Sequence, residues 1–262
     1  MERHQNGALV YYRFASLARH PELIHGVFTR LGGMSQPPYA SLNVGHTVGD
    51  NLEAVEANHA CICQALGIAR EAIATARQVH GSRVAVVGGE DCGRVLPATD
   101  ALVTNVPGVA LMLRFADCVP LLLYDPLRRA IGLAHAGWRG TVEKLAQKTV
   151  LAMVKAFGSR PRDLIAALGP AIGPCCYQVG EEVARAVREA LGGGAGLLQE
   201  QSDGSLHFGL WRANQRQLAA IGVERIEVAE LCTACRVDEF FSHRAEKGRT
   251  GRFGVVMGLR EK

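Results

Sequence analysis

The chain has 262 residues, of which 48% are hydrophobic, 21% charged and only 6% aromatic, and its formal net charge is +4. This composition excludes disordered and collagen-like proteins, and no apolar run is long enough to span a membrane. The small charge is spread along the chain, so we expect neither nucleic acid nor a membrane surface as a partner. At this length we predict one domain over residues 1–262 with a sizeable core.

Periodic apolar positions and capping signals predict four helices in chain order. Asp50 and Glu53 have the spacing of a capping box for a helix over residues 51–67, and Thr141 is predicted to cap a second helix over residues 141–157. Residues 179–191 and 210–221 are predicted to form the other two.

Short apolar runs rich in β-branched residues predict nine strands. They cover residues 26–29, 84–87, 101–104, 109–115, 120–124, 130–135, 164–168, 226–230 and 253–258. Most runs are continuously apolar, which is typical of sheets covered on both faces. Because the strands cluster instead of alternating strictly with helices, the sequence predicts an α+β fold of layered mixed sheets flanked by helices, with some antiparallel pairing.

Three side chains that bind metals well interrupt or end the predicted strands. His80 lies just before a strand, Cys118 separates two apolar runs, and His135 ends a strand. Pro120 cannot donate to a ladder, so we expect the chain to leave its sheet near Cys118 and expose the thiol. Two imidazoles and a thiolate are a ligand set of catalytic zinc, with one position left open. The alternative is a buried thiol beside two hydrogen-bonded histidines.

Several motifs, in order along the chain, resemble the laccase-domain (YfiH-like) family. These are SLNVG at residues 41–45, QVHG at 78–81, ADCVP at 116–120, AHAGWRG at 134–140, LGPAIGP at 168–174, FFSHR at 240–244 and TGR at 250–252. The resemblance extends from about residue 26 to residue 259 and implies the YfiH-like fold.

The resemblance also implies a zinc-dependent purine nucleoside phosphorylase that acts on adenosine, inosine or methylthioadenosine with phosphate, with adenosine deaminase activity also associated with the family. The family's metal ligands map onto His80, Cys118 and His135, which are also the predicted catalytic residues. A purine nucleoside and phosphate are therefore the expected partners, and the protein is expected to be a monomer or a weak homo-oligomer. Zinc is the expected metal and copper the less favoured one, although a thiolate and two imidazoles suit either ion.

Phosphorolysis needs an anion site near the metal, and arginines are the natural candidates. Asp117 is the candidate carboxylate for proton transfer, or else a partner that orients a metal ligand. Asn43 is a candidate for ribose binding or for an Asx-turn. The candidate substrate and phosphate ligands are Asn43, Arg30, Arg77, Arg139 and Arg244, and each arginine has a structural salt bridge or a solvated surface position as its alternative. His243 stands where the family more often has tyrosine, so we assign it no role.

The remaining cysteines are predicted to be free thiols, because we expect no signal peptide and a cytoplasmic protein keeps its thiols reduced. Cys232 and Cys235 have C-x-x-C spacing, but a second such pair is missing from the sequence, so a zinc ribbon is not predicted. The adjacent Cys175 and Cys176 likewise receive no assigned function.

Three other functions remain open at this point. The first makes Cys118 the nucleophile of a Cys-His hydrolase that edits peptidoglycan precursors. The second is a copper-dependent polyphenol oxidase, although the nine histidines include no H-x-H pair. The third is a zinc-binding scaffold without enzymatic activity.

Overall fold

The computed structural model describes residues 1–261, which form six α-helices and sixteen strands. The helices are α1 (Ala15–Ala18), α2 (Leu52–Leu66), α3 (Trp138–Val142), α4 (Leu145–Phe157), α5 (Glu181–Ala190) and α6 (Leu210–Ala220). The strands are β1 (Glu2–Asn6), β2 (Leu9–Arg13), β3 (Leu23–Phe28), β4 (Ile73–Ala76), β5 (Val84–Val86), β6 (Val95–Leu96), β7 (Ala101–Thr104), β8 (Ala110–Phe115), β9 (Val119–Asp125), β10 (Ala130–Ala136), β11 (Ile165–Leu168), β12 (Gln178–Val179), β13 (Leu198–Glu200), β14 (Leu206–Phe208), β15 (Arg225–Val228) and β16 (Phe253–Leu259).

The strands of residues 1–261 form two large mixed sheets and one small antiparallel sheet. The seven-stranded sheet has the order β1-β2-β3-β16-β8-β4-β6, and the six-stranded sheet has the order β15-β11-β9-β10-β7-β5. The small sheet has the order β12-β14-β13. Strands β8 and β9 are consecutive in the chain but belong to different large sheets, so the short connection between them crosses from one sheet to the other.

The two large sheets pack face to face, and helices cover their outer faces. In β8, Leu111, Leu113 and Phe115 belong to the core between the sheets, whereas Ala110 and Met112 belong to the core under α2. The outer face of the six-stranded sheet packs against α4, α5 and α6. Because each central strand is buried on both faces, its sequence is continuously apolar. The predicted α+β class with layered mixed sheets is therefore confirmed.

The structure corrects the predicted beginnings of two helices. The Asp50–Glu53 capping box is wrong: the Asn51 side chain caps α2 by accepting the Ala54 N–H at 3.0 Å, while Asp50 accepts from Asn43. Thr141 lies inside α3 instead of capping a helix, and its hydroxyl accepts from Asn214. The predicted helix over residues 141–157 is divided because Lys144 adopts a left-handed backbone with φ 64°.

The predicted helix over residues 179–191 begins later than expected, because Gln178 and Val179 pair with β14 as a strand. The pattern also missed seven strands, all of five residues or fewer: β1, β2, β4, β6, β12, β13 and β14. Most of these strands are too short or too polar to give an apolar run, but β2 carries one over residues 9–12 that the prediction did not count as a strand. Within residues 1–261, none of the helices is both long and apolar enough to cross a membrane.

Candidate metal centre and substrate pocket

The structure brings His80, Cys118 and His135 together from three separate parts of the chain. His80 lies in the loop between β4 and β5, Cys118 lies in the connection from β8 to β9, and His135 is the penultimate residue of β10. One ligand atom from each residue lies within 4.8 Å of those of the other two. The imidazole rings of His80 and His135 have centroids 4.9 Å apart.

Left-handed backbone conformations help to place two of these segments. His80 has φ 61° and Asp117, next to Cys118, has φ 84°. Non-glycine residues adopt this region only where the surrounding structure compensates its cost, and such positions cluster at functional sites. At Asp117 the turn lets the chain pass from one large sheet to the other, so Cys118 lies at their junction and not inside either sheet. The thiol lies at a strand end as predicted, but it is half-buried instead of exposed.

Asp100, which sequence reasoning missed, fixes both histidine segments. Its fully buried carboxylate accepts the backbone N–H groups of Val79, His80 and Gly81 at 2.9–3.1 Å. It also accepts a hydrogen bond from Nδ1 of His135 at 3.0 Å. The His135 backbone N–H donates to the Asp100 carbonyl at 2.8 Å. The one sequence signal was an acidic residue directly before a buried strand.

Hydrogen bonding of this kind determines how His135 can act. With Nδ1 donating to Asp100, the Nε2 atom of His135 remains to face Cys118. A carboxylate that holds the far nitrogen of an imidazole is the usual partner of a metal-binding histidine. Burial raises the pKa of Asp100, but the hydrogen bonds from His135 and the loop amides outweigh it and lower the pKa below its ordinary value.

Cys118 and His135 form a charged pair. Burial raises the pKa of the Cys118 thiol, but the charge of His135 and hydrogen bonds to His135 and His80 lower it to about 6. Burial lowers the pKa of His135, but the charge of Cys118 and the bond to Asp100 raise it to about 9. The pairing therefore favours the thiolate of Cys118, which is the form that binds metals or attacks as a nucleophile.

A pocket opens over the cluster. The pocket is lined by His80, Asp117 and Cys118 together with Gly137, Trp138, Arg139, Ile172, Tyr177 and Leu210. Gly137 is needed because a Cβ there would lie 2.9 Å from Cys118 Sγ. Trp138, Ile172 and Tyr177 were not predicted as site residues, although Trp138 and Ile172 lie inside motifs used above.

Arg139 and Asp117 are the two other predicted residues at the pocket. The exposed guanidinium of Arg139 lies over the Trp138 ring, 4.4 Å from its centroid. Both carboxylate oxygens of Asp117 are engaged: Oδ1 accepts the Thr233 hydroxyl at 2.7 Å, and Oδ2 accepts the Arg244 N–H at 2.7 Å. This pattern favours a structural role for Asp117 in holding the turn beside Cys118.

The remaining predicted substrate ligands do not line this pocket. The fully buried Asn43 side chain donates to Asp50 and accepts the N–H groups of Gly45 and Arg252, which is the Asx-turn alternative. Arg77 is exposed. Substrate binding by these residues stays a prediction.

Arg30 and Arg244 are held by neighbouring groups of the chain. Arg30 pairs with Glu246 at 3.0 Å and lies over the ring of Phe241. Arg244 donates to the Gln178 carbonyl and lies 5.3 Å from the ring centroid of Tyr177, so it adjoins the pocket wall. Their roles in substrate binding likewise stay predictions.

Comparison with known proteins agrees with the family resemblance. Residues 24–260 match a family model described as multi-copper polyphenol oxidoreductase laccase. A protein named purine nucleoside phosphorylase YlmD from Geobacillus stearothermophilus is 40% identical over 248 residues, which cover 91% of this chain and 90% of that protein. A purine nucleoside phosphorylase from Deinococcus radiodurans is 42% identical over 245 residues, covering 93% and 92%. A crystal structure of YlmD from Geobacillus stearothermophilus superimposes with a TM-score of 0.92 at 37% identity, covering 99% of both chains.

Proposed function

This chain belongs to the laccase-like YfiH family, and on that premise we propose that it is a zinc-dependent purine nucleoside phosphorylase. The observation that carries the proposal is that two members of the three-ligand cluster, His80 and Cys118, line a pocket that also has two aromatic side chains in its lining. Relatives at 40% and 42% identity carry the name of this activity.

The residues present fit a zinc ion. Two imidazole nitrogens and one thiolate leave a fourth tetrahedral position open, which distinguishes catalytic zinc sites from structural ones. His80, Cys118 and His135 would hold the ion, with Asp100 orienting His135 from behind. A bound zinc supplies positive charge and Lewis acidity beside the substrate.

The aromatic walls suit a purine base. Trp138 and Tyr177 line the pocket on separate segments, and aromatic side chains stack well on a purine of any substitution. Burial, aided by the nearby charge of Cys118, raises the pKa of Tyr177 well above its ordinary value. Its phenol is therefore protonated at neutral pH and available as a hydrogen-bond donor to the base or the ribose.

Arg139 is the residue we assign to phosphate. In phosphorolysis a phosphate oxygen forms a bond to C1′ of the ribose, the N-glycosidic bond breaks, and its electron pair leaves with the purine. A guanidinium can hold phosphate by two parallel hydrogen bonds and keep its oxygen close to the sugar. Stacking on Trp138 places this charge beside the proposed base site.

One further candidate function has a specific observation in its favour. Cys118, His135 and Asp100 are hydrogen-bonded in line, which is the order of nucleophile, base and orienting carboxylate in a cysteine hydrolase. We favour the metal site because a second imidazole, that of His80, also contacts the sulfur.

With eight free thiols among its described residues, the protein is suited to the reducing cytoplasm in which we place it.

The test is to incubate the purified chain with adenosine, inosine or methylthioadenosine and to follow the free base and ribose 1-phosphate by chromatography. We expect product only with phosphate present, loss of activity with a strong chelator, and recovery with Zn²⁺. Inosine formed from adenosine in the same assay measures the deamination that the family resemblance implies.

Copper-loaded protein assayed with a phenolic substrate provides the comparison for the oxidase alternative. Absence of phosphate-dependent cleavage by zinc-replete protein would refute the phosphorylase. Thiol-dependent hydrolysis of a peptidoglycan precursor that survives the chelator would establish the hydrolase instead.

A further inference from the structure

A second cluster of metal-binding side chains lies beside the pocket, formed by Cys175, Cys176, Cys232 and Cys235 (the four-cysteine cluster). The four sulfur atoms all lie within 4.8 Å of one another. Cys235 Sγ is 3.6 Å from Cys175 Sγ and 3.4 Å from Cys176 Sγ. Sulfur atoms around a tetrahedral zinc with bonds of about 2.3 Å are separated by roughly 3.8 Å, so the observed spacing suits one ion.

The fold supplies both halves of the cluster from neighbouring segments. Residues after β11 and residues after β15 run side by side, joined by a bridge between Ala171 and Cys232. The first segment then turns at Gly173, so that Cys175 and Cys176 face the C-x-x-C pair. The C-x-x-C pair is therefore completed by the adjacent Cys175 and Cys176. A search for two C-x-x-C motifs does not detect this spacing.

A backbone amide donor and access from solvent suit a metal site at these sulfurs. The N–H of Gly173 donates to Cys232 Sγ at 3.2 Å, and amide donors of this kind commonly support thiolate ligands of metals. Four thiols packed this closely repel one another when ionised, unless a cation lies between them. Cys175 and Cys235 are exposed, so an ion can reach the cluster from solvent.

We propose that the four-cysteine cluster binds a structural zinc ion that fixes one wall of the substrate pocket. Four thiolates close a tetrahedral site and leave no position for substrate, which is typical of structural zinc. The ion would join the segment carrying Ile172 and Tyr177, which line the pocket, to the segment carrying Thr233, which holds Asp117 beside Cys118.

The metal content of purified variants tests this site independently of catalysis. The full-length protein is purified under reducing conditions without chelator, and zinc, iron and copper are measured by mass spectrometry. We expect the variant Cys175→Ser/Cys235→Ser to hold about one zinc per chain less than the parent, and to melt at a lower temperature. Cys61→Ser, at a half-buried thiol in α2, is the matched control and should change neither quantity.

A second measurement does not depend on the folding of the cluster variants. In Cys118→Ala, whose four-cysteine cluster is intact, X-ray absorption at the zinc edge should show four sulfur neighbours at about 2.3 Å. Cobalt substituted into the same variant should give the intense visible bands of a tetrahedral thiolate site.

Three results would overturn the proposal. The first is unchanged zinc content in Cys175→Ser/Cys235→Ser, and the second is iron in place of zinc at the site. The third is a disulfide between Cys235 and Cys175 or Cys176 in protein purified anaerobically, because an oxidised pair cannot supply four thiolates.

Discussion

The two clusters of metal-binding side chains differ in what surrounds them. The cluster of His80, Cys118 and His135 lies at the junction of the two large sheets, is oriented by a buried carboxylate, and faces a pocket. The four-cysteine cluster lies between two loop segments, is supported by a backbone N–H, and has two exposed thiols. A site with three ligands and an orienting carboxylate suits catalysis, whereas four thiolates suit a structural ion, so ligand number and support separate the roles.

The cluster of His80, Cys118 and His135 is called the open site here, because three ligands leave one coordination position open. Removing one of its ligands should have the largest effect. In Cys118→Ala we expect phosphorolysis to fall by about 10³-fold or more, because the loss of bound metal removes several kcal/mol of charge stabilisation. About one zinc per chain should be lost, while the four-cysteine cluster keeps its own. Steady-state rates and metal analysis on the same preparation check this, and undiminished activity would remove the basis of the comparison.

Asp100→Asn tests whether metal binding by the open site depends on the carboxylate that holds His135. The amide is similar in size but cannot accept from all the donors around it, and it holds His135 less well. We expect metal affinity or kcat/KM to fall by about 10- to 100-fold, as for other partners of metal-binding histidines. Zinc titration with a competing chromophoric chelator measures it. An unchanged affinity would mean that the cluster does not depend on Asp100.

His25 provides a contrast with His135. It is buried without a hydrogen bond to a carboxylate, and its pKa is lowered where that of His135 is raised. Burial, with a contribution from the charge of Arg13, lowers the pKa of His25 to about 3, and its Nε2 accepts the Phe14 N–H. The unfolded state therefore binds a proton from about pH 6.5 downward while the folded state does not, so stability is lost as the pH falls.

Urea unfolding at pH 7 and pH 4.5 measures this linkage. His25→Gln can still accept from Phe14 but does not titrate. Between the two pH values, the wild type should lose about 2 kcal/mol more stability than this variant. Equal losses in the two proteins would show that His25 is not held neutral.

Gly137→Ala tests the close packing around the open site by adding a single methyl group. The new Cβ would lie 2.9 Å from Cys118 Sγ and 3.4 Å from His80 Cδ2, so the ligands must move. We expect a loss in kcat/KM of roughly tenfold, equivalent to an overpacking cost of about 1–2 kcal/mol.

Gly180→Ala is the matched control for this change. Gly180 also precedes a helix with an extended backbone, and a Cβ there meets no atom within 4 Å. Equal activities of the two alanine variants would contradict the packing argument.

Asp117→Asn should have the smallest effect, because we assign Asp117 to positioning and not to proton transfer. The asparagine Oδ1 can still accept the Arg244 N–H, and its amide can donate to Thr233 once that hydroxyl rotates. Phosphorolysis should fall by less than about tenfold, with an unchanged pH profile of kcat/KM. A loss comparable with that of Cys118→Ala would identify Asp117 as a catalytic acid or base.

The sequence predicted the α+β class, the central strands and the trio of His80, Cys118 and His135. Strands buried on both faces are continuously apolar, and polar side chains that interrupt them stand out. Family motifs surround each member of the trio, and the prediction that they meet is borne out by the distances. The phosphate and ribose ligands were harder to predict, because an arginine has the same local sequence whether it binds substrate or, like Arg30, a neighbouring glutamate.

The tertiary structure alone decided which distant residues become partners. Asp100 is 35 positions from His135, and pairing of β7 with β10 brings them together. Cys175 and Cys235 meet over 60 positions only because β11 and β15 are parallel neighbours. Local sequence patterns indicate whether a residue is buried, whereas strand order and register determine which residues it packs against. The chemistry of both clusters depends on strand order and register.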